Sequence, residues 1–511
     1  MIYYYYIEEL GSGMKTINEA VKTIKRPERI LQYGEGNFLR AFVDWQVDIL
    51  NEKTGFNGNV VVVQPLERGM ADAINNQQGL YTTVLRGVQD GKTVEEFRTV
   101  NSISRCLNVY AQFDEYLRCA ENPDLRFVFS NTTEAGIAYN ADDKLSDKPQ
   151  RSFPGKVCAF LYRRFEHFHG DPSKSLIFIP CELIDKNGDK LREIVERYAA
   201  EWKLGADFIK WLGACGFCNS LVDRIVPGYP KEEAEAICQK IGYTDNLLDA
   251  AEIFLLWVIE SKKDYSAELP FAKAGINVIW TDDMSFYRTR KVRILNGAHT
   301  SSVIAAFLYG LDTVEECIKD KLIYALMRKC IFDEIIPSMD GDTAALTQYA
   351  NDVLERFANP YIRHLILSIT LNSVSKFKTR VLPSITSYLK KKGAVPPALS
   401  FSLAALIAFY NGKDLANGEL KGSRKGEAYP IKDDEDVLKR FAALYAEAGP
   451  GPEAAAKIVH TVLGYADWWG EDLTAYPELE AAVSGHLAAI RKSSIAAVIG
   501  DVIGSANGTA R

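Results

Sequence analysis

The chain has 511 residues, 47% of them hydrophobic and 25% charged, a composition that supports large buried cores and excludes extensive disorder. At ~100–200 residues per domain, this length corresponds to between two and four domains. The formal net charge is −7 and dense runs of Lys and Arg are absent, so we expect no nucleic-acid partner, although a local basic pocket could still bind an anion.

Residues 1–14 are predicted to be an N-terminal extension, because the segment MKTINEAV from Met14 onward is typical of a natural start. The opening residues lack the basic and apolar regions of a signal peptide. The longest apolar run, residues 399–410, is shorter than the ~20 residues that a membrane span requires. We therefore expect a buried helix there and no membrane partner.

The first half of the chain alternates strand-like and helix-like segments. Residues 37–52 carry apolar side chains at helical spacing. Short β-branched or apolar runs predict strands at residues 29–34, 59–65, 126–130, 175–183 and 276–283. Strands that alternate with helices predict an α/β fold with a parallel sheet and crossover helices.

A dinucleotide site is predicted directly after the first strand, where the sequence reads GEGNFLR. Gly34 permits a tight turn, and Gly36 lets the backbone approach a pyrophosphate at a helix N-terminus. Leu39 replaces the third glycine of the fingerprint, so an ordinary glycine turn is the alternative. The strand–turn–helix–strand context favours the nucleotide site, to which we assign Gly34, Gly36, Asn37, Phe38 and Leu39.

Two further segments are candidates for the same crevice. Gln64 ends the second strand, where NAD-specific folds often place an acid for the ribose hydroxyls; its amide could bond a ribose but does not distinguish NAD from NADP. The segment FSNTTEAG offers Asn131, Thr133 and Glu134 after a later strand. Taken alone, that segment is also typical of a capped helix start.

Nine cysteines are scattered along the chain, and Cys215 and Cys218 form the closest pair. This pair lacks the second Cys or His pair of a zinc site and the surroundings of a redox motif. We therefore predict reduced thiols, which are typical of a cytoplasmic protein.

Strand signals fade after about residue 285, which places the predicted domains at 15–285 and 286–511. The charged, glycine-containing stretch 411–436 predicts a surface loop. We expect a ligand cleft between the two domains. Helices are predicted at residues 291–310, 313–338, 343–357, 360–391, 397–411, 433–447, 452–469 and 476–499.

The stretch KVRILNGAHT places Lys291, Asn296 and His299 at the start of the first of these helices. From the residues alone, the three groups either cap the helix, lie on its surface or point into a cleft. Their spacing resembles the signature of the long-chain mannitol dehydrogenase family of polyol and uronate oxidoreductases. The resemblance extends over residues 15–500 and includes the segments GEGNFLRAFVDW, NQQGLYTTVLRG, SNTTEAGI, NSLVDRIVPGYP and NSVSKFKTRVLP.

The resemblance implies a Rossmann-type N-terminal domain, a mostly helical C-terminal domain, NAD as cofactor and no metal. Hydride transfer to a ketone leaves negative charge on oxygen, which must be stabilised and then protonated. Lys291 is the predicted proton donor and acceptor, because a lysine in a low-polarity cleft can exchange a proton near neutral pH. Asn296 and His299 are predicted to donate hydrogen bonds to the reacting oxygen and its neighbours.

Two departures separate the chain from the mannitol-oxidising branch. Cys181-Glu182-Leu183 stands where that branch has Cys-Asp-Asn, and Ser368 stands where an Arg is expected eight residues before Lys376. The chain resembles instead the branch that interconverts hexuronates and aldonates, so a small-molecule carboxylate is the expected partner. No oligomeric state is predicted.

A hexuronate needs a cation for its carboxylate, and several residues are candidates. Asp223 and Lys376 match substrate-contacting positions of the family, and Arg224 is assigned beside them. Lys378 and Arg380 are further candidates, with solvated helix charges as the alternative.

Overall fold

The structure is a computed structural model that describes residues 13–133 and 135–504. The chain divides into two compact units, Met1–Met284 and Ser285–Arg511, and each is described by itself. Most of the predicted extension 1–14 and the predicted site residue Glu134 lie outside the described residues.

The first unit is an α/β structure. Its strands are β1 (Glu28–Tyr33), β2 (Asn59–Gln64), β3 (Tyr81–Gln89), β4 (Lys92–Val100), β5 (Ile103–Asn108), β6 (Phe127–Ser130), β7 (Ile177–Pro180), β8 (Gly216–Phe217), β9 (Asn219–Asp223), β10 (Asp249–Glu252), β11 (Leu256–Glu260) and β12 (Val278–Thr281). Its helices are α1 (Ile17–Ala20), α2 (Asn37–Leu39), α3 (Trp45–Lys53), α4 (Ala71–Asn76), α5 (Phe113–Cys119), α6 (Phe153–His167), α7 (Asn187–Glu201), α8 (Ala206–Leu212) and α9 (Ala234–Ile241).

The main sheet has six parallel strands in the order β5-β2-β1-β6-β7-β8. The order reverses at β1, so a crevice forms at the carboxyl ends of β1 and β6. Tyr33 at the end of β1 lies opposite Val63 of β2 and Ser130 of β6. The predicted parallel sheet and Rossmann-type fold are confirmed.

The β2 strand shows why these residues form the centre of the sheet. All six of its residues are buried, as expected for a parallel strand that is covered on both faces. Val60 and Val62 pack into the core on one face, whereas Val61 and Val63 pack into the core on the other. A β-branched run with no polar face is compatible only with such a central position.

Two smaller sheets, β10-β3-β4 and β12-β11-β9, complete the unit. Of their strands, the sequence predicted only β12. The hairpin of β3 and β4 turns at Asp90 and Gly91, which both have positive φ angles. An Asp-Gly pair in this conformation is a typical two-residue hairpin turn.

The second unit is largely helical, as predicted. Its helices are α10 (Ser285–Arg290), α11 (Gly297–Tyr309), α12 (Val314–Lys319), α13 (Lys321–Arg328), α14 (Ile336–Ser338), α15 (Thr343–Phe357), α16 (Ile366–Ile369), α17 (Ser373–Arg380), α18 (Leu382–Lys392), α19 (Pro397–Phe409), α20 (Glu435–Ala448), α21 (Ala455–Leu463), α22 (Ala466–Trp469), α23 (Pro477–Lys492) and α24 (Ile495–Gly504).

Helix starts and the core of this unit follow from the sequence. Thr313, Asp320 and Asp342 cap α12, α13 and α15 by accepting hydrogen bonds from first-turn N–H groups. The apolar run predicted as a buried helix is α19, whose residues are almost all buried against α11 and α23. Over the part of the chain that the structure describes, no helix combines the length and the apolar character that a membrane crossing demands.

The prediction of a surface loop at residues 411–436 is wrong for most of that segment. The segment forms a three-stranded antiparallel sheet of β13 (Gly412–Ala416), β14 (Glu419–Arg424) and β15 (Glu427–Ile431). Both turns, Asn417-Gly418 and Lys425-Gly426, have positive φ angles at each residue, which suits tight hairpins. Leu420 and Ile431 lie opposite each other and are buried, so the charged stretch still carries a small apolar face.

Candidate functional site

The loop after β1 has the conformation that the dinucleotide prediction requires. Gly34 has a φ angle of 116°, and a Cβ there would lie 3.0 Å from the Asn131 carbonyl oxygen and 3.1 Å from Leu39 Cδ1. Gly36 directly precedes α2, and a Cβ there would meet no heavy atom of the described residues within 4 Å. The space that a side chain would fill is open at a helix N-terminus, which fits a bound pyrophosphate.

The residues that follow Gly36 differ in what their side chains contact. Asn37 accepts a hydrogen bond from Arg40 Nη2 at 2.6 Å. Its amide also fills the space where a Cβ on Gly228, at a φ angle of 87°, would lie. Phe38 stacks on Phe42 with ring centroids 4.9 Å apart. Leu39 is buried in the core of the sheet, so its side chain packs the protein and only its backbone remains for a cofactor.

The side chain of Gln64 forms hydrogen bonds within the protein. Its buried amide donates from Nε2 to the carbonyl oxygens of Leu66, at 2.8 Å, and Glu67, at 3.2 Å. Its Oε1 accepts from Ala71 N at 2.9 Å. These three bonds shape the loop between β2 and α4, and they favour a structural role over the predicted bond to a ribose.

The loop after β6 carries the other predicted cofactor residues. The described residues on either side of Glu134 are not helical, and the next helix is α6, so the alternative of a capped helix start is wrong. Asn131 donates from Nδ2 to the Cys181 carbonyl oxygen at 2.9 Å, and Thr133 has a φ angle of 81°. The loop therefore runs along the crevice at the end of β1 and is tied to the end of β7.

Glu182 anchors the same loop, a role that the sequence did not reveal. Its buried carboxylate accepts hydrogen bonds from Ser130 Oγ at 3.0 Å, Thr132 N at 3.0 Å and Thr132 Oγ1 at 2.9 Å. Burial raises the pKa of this carboxyl, and the hydrogen bonds act in the opposite direction. The neighbouring Leu183 is 64% exposed. The only sequence signal was the position of an acid directly after a strand.

In the second unit, Lys291, Asn296 and His299 share one helical stretch that begins at Ser285, six residues before the predicted start. Lys291 opens and Asn296 closes a π-helical turn, and α11 follows. Residues five apart would lie ~140° apart around an α-helix, but the wider turn hydrogen-bonds residue i to i+5 and brings them closer to one side. Such π turns are frequent at functional sites.

His299 is 8% exposed, and its ring contacts two others. It stacks on Phe357 with centroids 4.0 Å apart and meets the edge of His364 with centroids 5.3 Å apart. Burial, and then the charges of His364, Arg356 and Arg380, lower its pKa well below the usual range. The ring is therefore neutral at pH 7, and its Nε2 has no hydrogen-bond partner among the described residues.

The predicted substrate contacts have different surroundings. Arg224 is buried and donates to the carbonyl oxygens of Ala41, Glu252 and Phe254 at 2.7, 2.9 and 3.3 Å. These contacts favour a structural role for Arg224 over the predicted substrate role. Asp223 is buried at the end of β9, opposite Leu256 of β11, and its role stays a prediction.

Lys376 lies on α17 and is half-buried. Its Nζ donates to the Ile369 carbonyl oxygen at 2.9 Å. Burial and the charge of Arg380 lower its pKa, while Asp433 acts in the opposite direction. Across residues 13–133 and 135–504, no group of three or more His, Cys, Asp or Glu side chains is placed to hold a metal ion.

The chain matches two models of protein families. The mannitol dehydrogenase Rossmann domain matches residues 28–273, and the mannitol dehydrogenase C-terminal domain matches residues 283–491. The chain is 46% identical to the altronate oxidoreductase of Yersinia enterocolitica over 475 residues, which are 93% of this chain and 96% of that one.

The chain is also similar in sequence to other relatives and in fold to two solved structures. Altronate oxidoreductases of Escherichia coli O139:H28 and Cronobacter sakazakii are 48% and 49% identical, over 93% and 91% of this chain and 97% and 94% of theirs. The fold is similar to that of substrate-free D-sorbitol dehydrogenase, with a TM-score of 0.75 and 22% identity over 93% of this chain and 95% of that one. A ternary complex of Pseudomonas fluorescens mannitol 2-dehydrogenase has a TM-score of 0.65 and 23% identity over 94% and 95%.

Proposed function

The chain belongs to the mannitol dehydrogenase family, and from this premise we propose that it interconverts D-tagaturonate and D-altronate with NAD as cofactor. The observation that carries the proposal is its 46–49% identity to altronate oxidoreductases over more than nine-tenths of each chain. The predicted activity on hexuronates, rather than on mannitol, agrees with these relatives.

When bound, the cofactor would supply a hydride as NADH for the reduction of tagaturonate and accept one as NAD⁺ in the oxidation of altronate. In the first unit, the loop after β1 would hold the pyrophosphate, with its tight turn at Gly34 and its open backbone at Gly36. Asn131 and Thr133, on the loop anchored by Glu182, would contact the remainder of the cofactor. We assign no ribose contact to Gln64, because its amide is committed to its own loop.

The second unit supplies the groups that handle the oxygen. Reduction turns a ketone oxygen into an alkoxide, which Lys291 stabilises by its charge and then protonates. In the opposite direction, Lys291 accepts the proton from the hydroxyl of altronate. The π turn that begins at Lys291 and ends at Asn296 supports a shared role, in which the amide of Asn296 would donate a hydrogen bond on the same side of the helix.

His299 acts as a neutral hydrogen-bond donor in this proposal. A neutral imidazole has one donor and one acceptor nitrogen, and the buried Nε2 of His299 has no partner among the described residues. Its lowered pKa removes it as the source of the transferred proton. The substrate therefore completes the hydrogen bonding of His299, while Lys291 carries the proton.

The test follows the loss of NADH absorbance with D-tagaturonate, D-fructuronate and D-fructose offered separately. A clear preference for tagaturonate is the expected result. A preference for fructuronate would indicate a fructuronate reductase, and a preference for fructose would indicate a mannitol-type dehydrogenase. Absence of turnover with all three substrates and both nicotinamide cofactors would refute the proposal.

A lysine variant separates catalysis from binding. Lys291→Ala is expected to retain NADH binding, measured by fluorescence, and to lose turnover. If the variant still reduces tagaturonate at the wild-type rate, Lys291 is not the proton donor.

A further inference from the structure

A cluster of basic side chains surrounds His299 in the second unit. The rings of His364 and His299 meet edge to face, and the charges of Arg356 and Arg380 act on the His299 imidazole. Lys376 precedes Arg380 by one helical turn on α17, so these two cations share one face of that helix. Like charges at this spacing destabilise a helix, so the cluster needs an explanation.

Two basic groups of the cluster have no acidic partner among the described residues. Asp433 acts on Lys376, but it also accepts hydrogen bonds from Tyr410 and from Val374 N. For His364 and Arg380, no carboxylate within residues 13–133 and 135–504 forms an ion pair with the side chain, and burial alone lowers the pKa of each group. A half-buried guanidinium without a counter-ion is costly unless a ligand supplies the negative charge.

Backbone packing fixes where this cluster lies. The carbonyl oxygen of Arg380 lies 3.2 Å from the position that a Cβ on Gly297 would occupy. The end of α17 therefore packs against the start of α11, two residues before His299. His364 reaches the same imidazole from the segment that joins α15 and α16.

We propose that Arg380 and His364 bind the carboxylate of the hexuronate, beside the neutral ring of His299. This inference rests on the proposed function, because only a substrate with a carboxylate would supply the negative charge that the Arg380 guanidinium requires. It assigns the carboxylate to residues other than Arg224, whose guanidinium is committed to backbone carbonyls. Arg380 offers the planar fork that binds a carboxylate with two hydrogen bonds.

The dimensions of the substrate agree with this placement. In tagaturonate, three hydroxyl-bearing carbons separate the ketone from the carboxylate, and four C–C bonds span ~5 Å. The rings of His299 and His364 are 5.3 Å apart. A hydrogen bond from His299 near the reacting oxygen therefore leaves the other end of the substrate within reach of His364.

The test compares ligands that differ only in the carboxylate. D-altronate and D-altritol, in which CH₂OH replaces the carboxylate, are titrated into the protein in the presence of NADH. Altronate, altritol and NADH are all in the reduced form, so no turnover occurs and NADH fluorescence reports binding. Arg380→Ala is expected to weaken altronate binding by roughly 10- to 100-fold, because a charged hydrogen bond is lost, and to leave altritol binding unchanged.

Lys378→Ala is the matched control. The sequence also offered Lys378 as a candidate for the carboxylate, but Lys378 lies on α17 between Lys376 and Arg380 and points away from their face. Its Nζ lies 3.5 Å from the position that a Cβ on Gly470 would occupy, so it is not part of the cluster around His299. This variant removes the same charge from the same helix and is expected to bind both ligands like the wild type. Equal losses for altronate and altritol in Arg380→Ala, or no loss for either, would overturn the assignment.

Two milder variants keep the test decisive if Arg380→Ala does not fold. Arg380→Lys retains the charge without the fork, and His364→Gln retains a hydrogen-bonding group without the imidazole ring. Both are expected to weaken altronate binding selectively, and the assignment is overturned if neither discriminates between the two ligands. A wild-type protein that neither binds altronate nor reduces tagaturonate would instead overturn the proposed function.

Discussion

His299 and His364 meet edge to face, with ring centroids 5.3 Å apart and an interplanar angle of 86°. Phe357 stacks on His299 with ring centroids 4.0 Å apart. A histidine in this setting is desolvated and also repelled by nearby positive charge, and both effects favour its neutral form. The neutral ring can therefore donate one hydrogen bond and accept another at pH 7.

The first prediction concerns the titration of His299. Because its pKa is lowered, its imidazole signals in NMR spectra should not change between pH 8 and pH 6, whereas histidines of the denatured chain titrate near ~6.5. The unfolded state takes up a proton that the folded state does not, so His299 lowers the free energy of unfolding as the pH falls below ~6.5. A His299 signal that titrates near pH 6.5 in the folded protein would contradict the prediction.

The second prediction contrasts two glycines of the loop after β1. Gly36→Val should fold with a thermal midpoint close to that of the wild type, because the added side chain meets open space. It should lose NADH binding, measured by fluorescence titration, because the side chain occupies the place of the pyrophosphate. Undiminished NADH binding by Gly36→Val would place the cofactor elsewhere.

Gly34 should behave in the opposite way. Its φ angle of 116° and the 3.0 Å approach to the Asn131 carbonyl predict that Gly34→Ala destabilises the fold itself, by ~1–3 kcal/mol. Chemical denaturation of the two variants measures this difference. A Gly34→Ala variant as stable as the wild type would show that the turn adapts without strain.

A third prediction addresses Glu182. Glu182→Ala leaves the hydroxyl of Ser130 and two donors of Thr132 without their acceptor. The loop after β6 should then loosen, and the KM for NADH should rise roughly tenfold or more, because buried donors without partners cost ~1–3 kcal/mol. Glu182→Gln should have a smaller effect, since one oxygen can still accept from Thr132. Equal effects of the two variants would contradict this anchoring role.

The sequence predicted the sheet better than the site. Val60 to Val63 left few alternatives to a central parallel strand, and the glycines of GEGNFLR indicated the turn that follows β1. The hairpins were missed although their signals were present. Asp90-Gly91 and Asn417-Gly418 are typical hairpin turns, but the charged residues around them resemble loops.

The sequence did not reveal which groups surround the candidate site, because their proximity depends on tertiary structure. His364 is far from His299 in the chain, and no pattern connected the two before the fold brought their rings together. Gln64 ends β2 as predicted, yet its partners are backbone groups of its own loop, which residue types do not encode. The π turn from Lys291 to Asn296 is equally invisible to an analysis of α-helical periodicity.

The last prediction concerns Asp44, a carboxyl buried in the π-helical turn between α2 and α3. Its Oδ2 accepts from Gln32 at 3.0 Å, while its Oδ1 has no partner among the described residues. Burial raises its pKa to about 8, and the charge of Asp249 acts in the same direction, whereas Gln32 and Arg40 oppose the rise. The ordinary value for an aspartate is ~3.9.

Between these two values the folded state holds a proton that the unfolded state has released. Asp44 therefore lowers the free energy of unfolding as the pH rises from ~4 towards 8, with a slope of up to ~1.4 kcal/mol per pH unit. Asp44→Asn removes the titration and keeps a hydrogen-bonding group against Gln32. Denaturant titrations at pH 5, 6.5 and 8 should show that the variant loses less stability than the wild type over this range. If the variant and the wild type lose the same stability between pH 5 and 8, Asp44 does not hold its proton in the folded state.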